Sequence, residues 1–339
     1  MKIITFKSAL EKAIENKNQK PTLLLGNGFS IAFDKKIFGY EGLLESARER
    51  NLFQDNDRLS KVFNISKTVN FEQIMEYLME LESIFSNYSM EIQNDISRLK
   101  EIIIKALSQS HPNSPHCIKK IQYKHCAQFL RNFKSIYTLN YDLLLYWVIM
   151  KENLYMEFKD GFQYPINKVE ESATNYVYWY PRNKYFTNLY YLHGGLYLYG
   201  ATNEIKKYCF SNGRSLKEQI MHSINQNIFP LFVSAESHLK KLEIINRSDY
   251  LSNALNNFNH CKDVLFIYGF NFSENDRHIL KAIASSKVNK IFISIYRSTN
   301  IGEILNSIEE IKILRKNFIA NETTLEVIYY DAESAQVWG

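Results

Sequence analysis

Residues Thr22-Leu23-Leu24-Leu25-Gly26-Asn27-Gly28-Phe29-Ser30 read as a buried strand, a tight turn and the start of a helix. The three leucines form an unbroken apolar run, which suits a strand covered on both faces. Gly26-Asn27-Gly28 turns sharply, and Phe29 to Phe33 opens a helix. A glycine pair after such a strand lets backbone N–H groups approach a phosphate, and the helix N-terminus favours its negative charge. Two readings stand at this point: a nucleotide site, and a strand–helix turn that binds nothing. The dehydrogenase fingerprint would place its third glycine where Ile31 stands, and no strand-end acid follows about twenty residues on.

Three further stretches downstream have the same design. Ser135 to Leu139 reads as a second buried strand ending in Asn140-Tyr141-Asp142, with an apolar helix behind it. Asn188 to Leu192 is a short strand ending in His193-Gly194-Gly195. Asp263 to Tyr268 is a third strand, ending in Gly269, with Phe270-Asn271-Phe272-Ser273 as its loop. In doubly wound sheets ligands collect outside the carboxyl ends of the strands, where all these polar residues would stand. Each also has a structural reading. Asp142 caps a helix and Asn140 turns the chain; Ser273 and Asp276 form a capping box. A histidine at a strand's carboxyl end, left uncovered by two glycines, is a candidate general base. The other histidines have no such setting.

Between these motifs the pattern is helical. Phe6, Leu10, Ala13 and Ile14 predict an amphipathic helix over about 6–16. Phe71, Ile74, Met75, Leu78 and Leu81 form an apolar stripe, and residues 71–107 predict two helices broken near 86–89. Helices are also predicted over about 116–131, 214–227 and 239–257, and strands over 290–295 and 325–330. Residues 151–187 are irregular and aromatic, with Tyr176 to Tyr180 alternating like a β-hairpin arm. Strands alternating with helices predict an α/β fold: a Rossmann-like, largely parallel sheet with helices on both faces. The whole chain, 1–339, reads as one domain with a helical insertion over about 60–131.

Composition excludes several classes. The net charge of +5 is spread over the chain without a block of like charges, so no basic tail for nucleic acid or membrane is expected. Lysine pairs such as Lys206-Lys207 and Lys240-Lys241 read as solvated surface. Cys117, Cys126, Cys209 and Cys261 are scattered without a C-x-x-C pair, which argues against a zinc ribbon or a disulfide framework. The N-terminus lacks the apolar core and cleavage site of a secretory signal, and no run is long enough to span a bilayer. A soluble, cytoplasmic protein is expected.

Taken in order, GNGFS, TLNYD, LHGG and YGFNFSENDRHI resemble the strand-end motifs of the sirtuin family and its bacterial sirtuin-like relatives. The resemblance runs from about residue 20 to 297. It implies that Gly26, Asn27, Gly28, Phe29 and Ser30 hold the pyrophosphate of NAD. Asn140 matches the asparagine beside the nicotinamide ribose, Asp142 the acid two residues later, and His193 the catalytic histidine. Gly269, Asn271 and Ser273 match the loop that holds the adenosine half. Two departures set this chain apart from the deacylases. It lacks their zinc-binding cysteine pairs, and Phe33-Asp34-Lys35-Lys36 stands where they carry proline-aspartate-phenylalanine-arginine. Both departures are shared by the NAD-degrading effectors of bacterial antiviral systems, which this chain resembles more.

The resemblance implies an NAD glycohydrolase that splits NAD into ADP-ribose and nicotinamide, with NAD as substrate and neither zinc nor another cofactor. The residues suit that chemistry. Cleavage builds an oxocarbenium-like centre, and the nicotinamide leaving group is cationic beforehand, so no general acid is needed. Such an activity would kill its host if always on, which implies control through a homo-oligomer or a partner protein of a defence system. The rival readings are a module that senses NAD or ADP-ribose without turnover, a zinc-independent deacylase, and an ADP-ribosyltransferase.

Overall fold

The computed structural model describes residues 2–14, 19–53, 57–164, 176–181, 187–201, 204–209, 215–233, 237–297, 301–318 and 325–339. The expected first and last residues of some elements, including 15–16 and 214, and much of the aromatic arm lie outside them. Among the described residues the strands are β1 (Ile3–Ile4), β2 (Thr22–Leu25), β3 (Ser135–Thr138), β4 (Phe162–Gln163), β5 (Tyr176–Trp179), β6 (Leu189–Tyr191), β7 (Leu198–Ala201), β8 (Glu204–Tyr208), β9 (Lys262–Tyr268), β10 (Lys287–Ile295) and β11 (Glu326–Asp331).

Seven of these form the central sheet, in the order β1-β11-β10-β9-β2-β3-β6, and every pairing in it is parallel. The fold is α/β and Rossmann-like, as the alternation of strands and helices predicts. Leu23, Leu24 and Leu25 are fully buried, as an inner strand of a sheet covered on both faces requires. After the edge strand β1, the chain enters the interior of the sheet at β2, steps outward through β3 to β6, then returns to the other side of β2 with β9, β10 and β11, the last pairing with β1. The strand order therefore reverses between β2 and β9, the place where open α/β sheets form a crevice.

The register levels the strand ends. Leu25 pairs with Thr138 on one side and Tyr268 on the other, and Thr138 pairs with Tyr191. The residues that follow these four therefore emerge in one row. That row contains the turn at Gly26, Asn140, His193 and Gly269.

Helices Arg58–Ser66, Phe71–Ile84, Ser89–Ser110 and Lys120–Leu130 stand between the first turn and β3. Asn70 caps the second of them, accepting from the Glu72 amide at 2.9 Å. The expected break falls at Phe85, with a 3-10 turn over Ser86–Tyr88. The stripe is buried through Leu78, but Leu81 is largely exposed at the far end of the helix. Residues 115–117 form a 3-10 turn rather than the start of the expected helix, because Pro115 opens it and Ser114 caps it. The helix expected over 239–257 is two, His238–Arg247 and Asp249–Asn259, separated where Ser248 turns extended and caps the second.

The aromatic arm is part of a second sheet. β4, β5, β8 and β7 pair antiparallel in that order. Its short strands β4, β7 and β8 carry no sustained alternation in the sequence. Lys207, on β8, is buried, paired with Asp160 and set over the rings of Tyr146 and Phe162. It is not the solvated lysine expected. All four cysteines are free. Among the described residues no helix is long and apolar enough to cross a membrane.

Candidate active site at the carboxyl ends of the sheet

A cavity of about 700 Å³ lies over the point where the strand order reverses. Gly26, Asn27, Gly28, Asn140, Asp142, His193, Gly269 and Asn271 line it. Phe29, Ser30 and Ser273, grouped with them in the sequence, do not. Phe29 is fully buried against Trp338, whose indole N–H donates to the Phe29 carbonyl at 2.9 Å. The Ser273 hydroxyl is buried without a hydrogen-bond partner and makes no cap, so the expected capping box does not form. The reason is that the Asp276 carboxylate is held by Lys241 instead.

The glycine turn is shaped by the turn after β9. The Gly26 amide donates to the Tyr268 carbonyl at 2.9 Å and the Gly28 amide to the Gly269 carbonyl at 2.8 Å. The amides of Phe29 and Ser30 bond to the carbonyls of Gly26 and Asn27. Four N–H groups of the expected phosphate cradle thus have backbone partners. A Cβ on Gly26 or Gly28 would lie 2.5 Å from the backbone of Gly269. The glycines allow two strand-end turns to touch.

Ser30, buried behind the wall, ties two cavity residues together. Its hydroxyl donates to Asp142 Oδ2, and the Asn140 side-chain amide donates to the Ser30 oxygen at 3.1 Å. The other Asp142 oxygen accepts from the Leu144 amide at 2.8 Å, so Asp142 also caps the following helix. Both readings of Asp142, site residue and cap, describe the same carboxylate. This chain of donors fixes the Asn140 amide with its nitrogen on Ser30. Its carbonyl oxygen makes no hydrogen bond among the described residues and is left as an acceptor at the cavity. Burial pushes the Asp142 carboxyl up to about 6, against the bonds from Ser30 and Leu144 that favour its ionised form.

His193 is buried at 4% exposure, not uncovered as the flanking glycines suggest. Its loop is fastened by the segment after Pro230: the Val233 amide donates to the His193 carbonyl at 3.0 Å, and the Gly195 amide to Leu231 at 3.0 Å. Gly194 has φ +78°, and a Cβ there would meet the Leu231 carbonyl at 2.1 Å. Burial holds the imidazole well below its ordinary pKa, so it is neutral at pH 7.

Behind His193 stands a polar cluster that the sequence reading did not find. His278 Nε2 lies 2.9 Å from His193 Nε2, and Asp276 Oδ1 lies 3.9 Å from the same nitrogen. Lys241 Nζ donates to Asp276 Oδ1 at 2.7 Å. Lys241 is 1% exposed, so it is not a surface lysine either. Burial acts to raise the Asp276 carboxyl, but Lys241 and the two imidazoles bring it below its usual range. Burial acts against the Lys241 charge, and Glu72 with Asp276 restores it, so its pKa is raised. Glu72 comes from the helical insertion and lines the cavity with Tyr40, to which it is hydrogen-bonded; burial raises its pKa. One signal for these residues was present: Lys241 is four residues before Ile245, the spacing of one helix face. No local pattern announces Glu72 or His278.

His193, Asp276 and His278 are also the set most suited to a metal ion, their ligand atoms lying within 4.8 Å of one another. The Lys241 ammonium holds one oxygen of the Asp276 carboxylate.

A family model described as a domain of unknown function, DUF4917, matches residues 23–338. No curated protein matches the chain. With almost its whole length matched, the chain belongs to the DUF4917 family.

Proposed function

We propose that this protein is an NAD glycohydrolase. The observation that carries the reading is the single row of strand ends at the switch point, where Asn140 and His193 share one cavity with the glycine turns. Its volume is in the range of small-molecule sites. The resemblance of the four motifs to sirtuin-like NAD-degrading proteins supplies the substrate.

In this reading the nicotinamide ribose lies between Asn140 and His193. The bond from the anomeric carbon to nicotinamide breaks with its electron pair passing to the ring nitrogen, which becomes neutral. Water attacks the anomeric carbon. Asn140 accepts a hydrogen bond from that water or a ribose hydroxyl, and neutral His193 takes the released proton. The remainder of the dinucleotide, held along the glycine turns and Asn271, supplies binding energy away from the reacting centre. Activity is held in check and triggered through an oligomer or a partner protein, as suits a toxic effector of anti-phage defence.

The test is nicotinamide release from NAD by the purified protein, beside Asn140→Ala and His193→Ala. Release that both substitutions abolish is the expected result. NAD binding without release, in the presence of candidate activators, would favour a sensing module; no binding would remove the nucleotide from the site.

A further inference from the structure

His193, on the cavity wall, meets the imidazole of His278 behind it. Their Nε2 atoms are 2.9 Å apart, with ring centroids at 5.1 Å and planes 30° apart. Both rings are buried. At this separation one proton lies between the nitrogens, because two lone pairs repel and two N–H groups clash. With both rings neutral, the ring that owns the proton sets what His193 offers the cavity. If His278 donates, His193 carries its own proton on Nδ1 and cannot accept another. If His193 donates through Nε2, its Nδ1 is a bare lone pair. Nδ1 of His193 makes no hydrogen bond among the described residues.

The surroundings choose between these states. Asp276 Oδ1 lies 3.9 Å from His193 Nε2, and its negative charge favours a proton on that nitrogen. Lys241 fixes the carboxylate in place at 2.7 Å. The arrangement has a visible cost. His278 must then carry its proton on Nδ1, and that atom is buried without a partner. That orphaned N–H opposes this state, since the other tautomer would leave only a lone pair there, and the Asp276 charge has to outweigh it.

We infer that His278 and Asp276 are positioning residues that hold His193 as its Nε2–H tautomer, presenting Nδ1 to the cavity as a proton acceptor. The tautomer assignment rests on the 3.9 Å approach of Asp276 to His193 Nε2; its use as a base rests on the glycohydrolase reading. When a water gives up its proton, that proton goes to His193 Nδ1. The resulting imidazolium keeps its Nε2–H bond to His278 and is balanced by Asp276.

The test is long-range ¹H–¹⁵N correlation on the full chain labelled with ¹⁵N-histidine, near neutral pH. The expected spectrum has His193 protonated on Nε2 and His278 on Nδ1. His278→Gln, whose side-chain oxygen accepts a hydrogen bond, keeps the His193 pattern; His278→Leu shifts it toward Nδ1–H. In the same proteins His278→Leu lowers kcat for nicotinamide release by roughly 10²-fold with little change in KM, and His278→Gln restores most of it. A wild-type His193 protonated on Nδ1 overturns the inference. So does stoichiometric zinc in the purified protein that is lost in His278→Gln, since both Nε2 atoms would then be metal ligands. The wild-type spectrum needs neither a variant that folds nor an active enzyme, so loss of the glycohydrolase reading alone leaves the tautomer assignment standing.

Discussion

Gly28 and Gly269 meet backbone to backbone where the turns after β2 and β9 cross. The Gly28 amide donates to the Gly269 carbonyl at 2.8 Å, and a Cβ on Gly28 would lie 2.5 Å from the Gly269 Cα. The contact closes the floor of the cavity at the point where the strand order reverses. Neither turn can carry a larger residue there without moving the other.

Gly28→Ala is therefore expected to lower stability by about 2–3 kcal/mol through overpacking against backbone. Gly269→Ala is expected to cost about 1 kcal/mol more, because Gly269 also has φ +67°. Urea unfolding of the two variants checks this. Midpoints that match the parent would mean that the two turns are free to separate.

Ser30→Ala removes the hub between Asn140 and Asp142. The loss of two buried hydrogen bonds is expected to cost about 1–3 kcal/mol in stability. The Asn140 amide is no longer pinned, and nicotinamide release is expected to fall more than tenfold. A folded Ser30→Ala protein with undiminished release would detach the Asn140 orientation from the reaction.

Two buried groups give opposite pH dependences. His111 Nε2 accepts from the Leu143 amide at 3.1 Å, and burial lowers its pKa from 6.5 to about 3. The unfolded chain then binds more protons below pH 6.5, so this contribution is present above 6.5 and is lost as pH falls toward 3. Asp142 runs the other way: its folded value of about 6 exceeds 3.8, so its contribution favours the folded state at low pH and declines between 3.8 and 6. Urea unfolding at pH 7 and pH 4.5 is expected to show His111→Gln losing on the order of 2 kcal/mol less than the parent between them. An equal loss in both proteins would remove His111 as a source of acid instability.

Nicotinamide release is expected to drop as pH falls through about 6, where Asp142 takes up a proton and its Oδ2 accepts less strongly from Ser30. A pH–rate profile that is flat from 7 to 5 would show that Asp142 ionisation plays no part in holding Asn140.

Lys241→Met leaves Asp276 as a buried, uncompensated carboxylate, at a cost of about 3–5 kcal/mol. Adding Asp276→Leu is expected to recover much of that loss. A double-mutant cycle on thermal unfolding gives the coupling directly. Additive losses would mean that the 2.7 Å contact contributes nothing of its own.

The strand ends were legible because each is local. An apolar run of three to six residues followed by glycine, asparagine or histidine marks both the strand and its exit, as at Leu25-Gly26, Leu139-Asn140 and Tyr268-Gly269. The second sheet was not legible beyond β5, because β4 and β7 are only two and four residues long and β8 joins β5 across the intervening β6 and β7. Lys241 and Lys207 were misread for one reason. A lysine beside another lysine is ordinarily solvated, and only a distant carboxylate, Asp276 or Asp160, makes burial tolerable.

The sequence by itself determined the α/β class, the buried strand β2 and the polar residues at its neighbours' ends, since these depend on periodicity and turn chemistry within a few residues. The tertiary structure decided the strand order and register that bring those ends into one row. It also decided that Ser30 faces inward to tie Asn140 to Asp142, and that His278, Asp276, Lys241 and Glu72 gather into one cluster with His193. The reason is physical. Hydrogen bonds and ion pairs between residues tens to hundreds of positions apart leave no periodic trace in a chain, and they form only once burial has made an unpaired polar group costly.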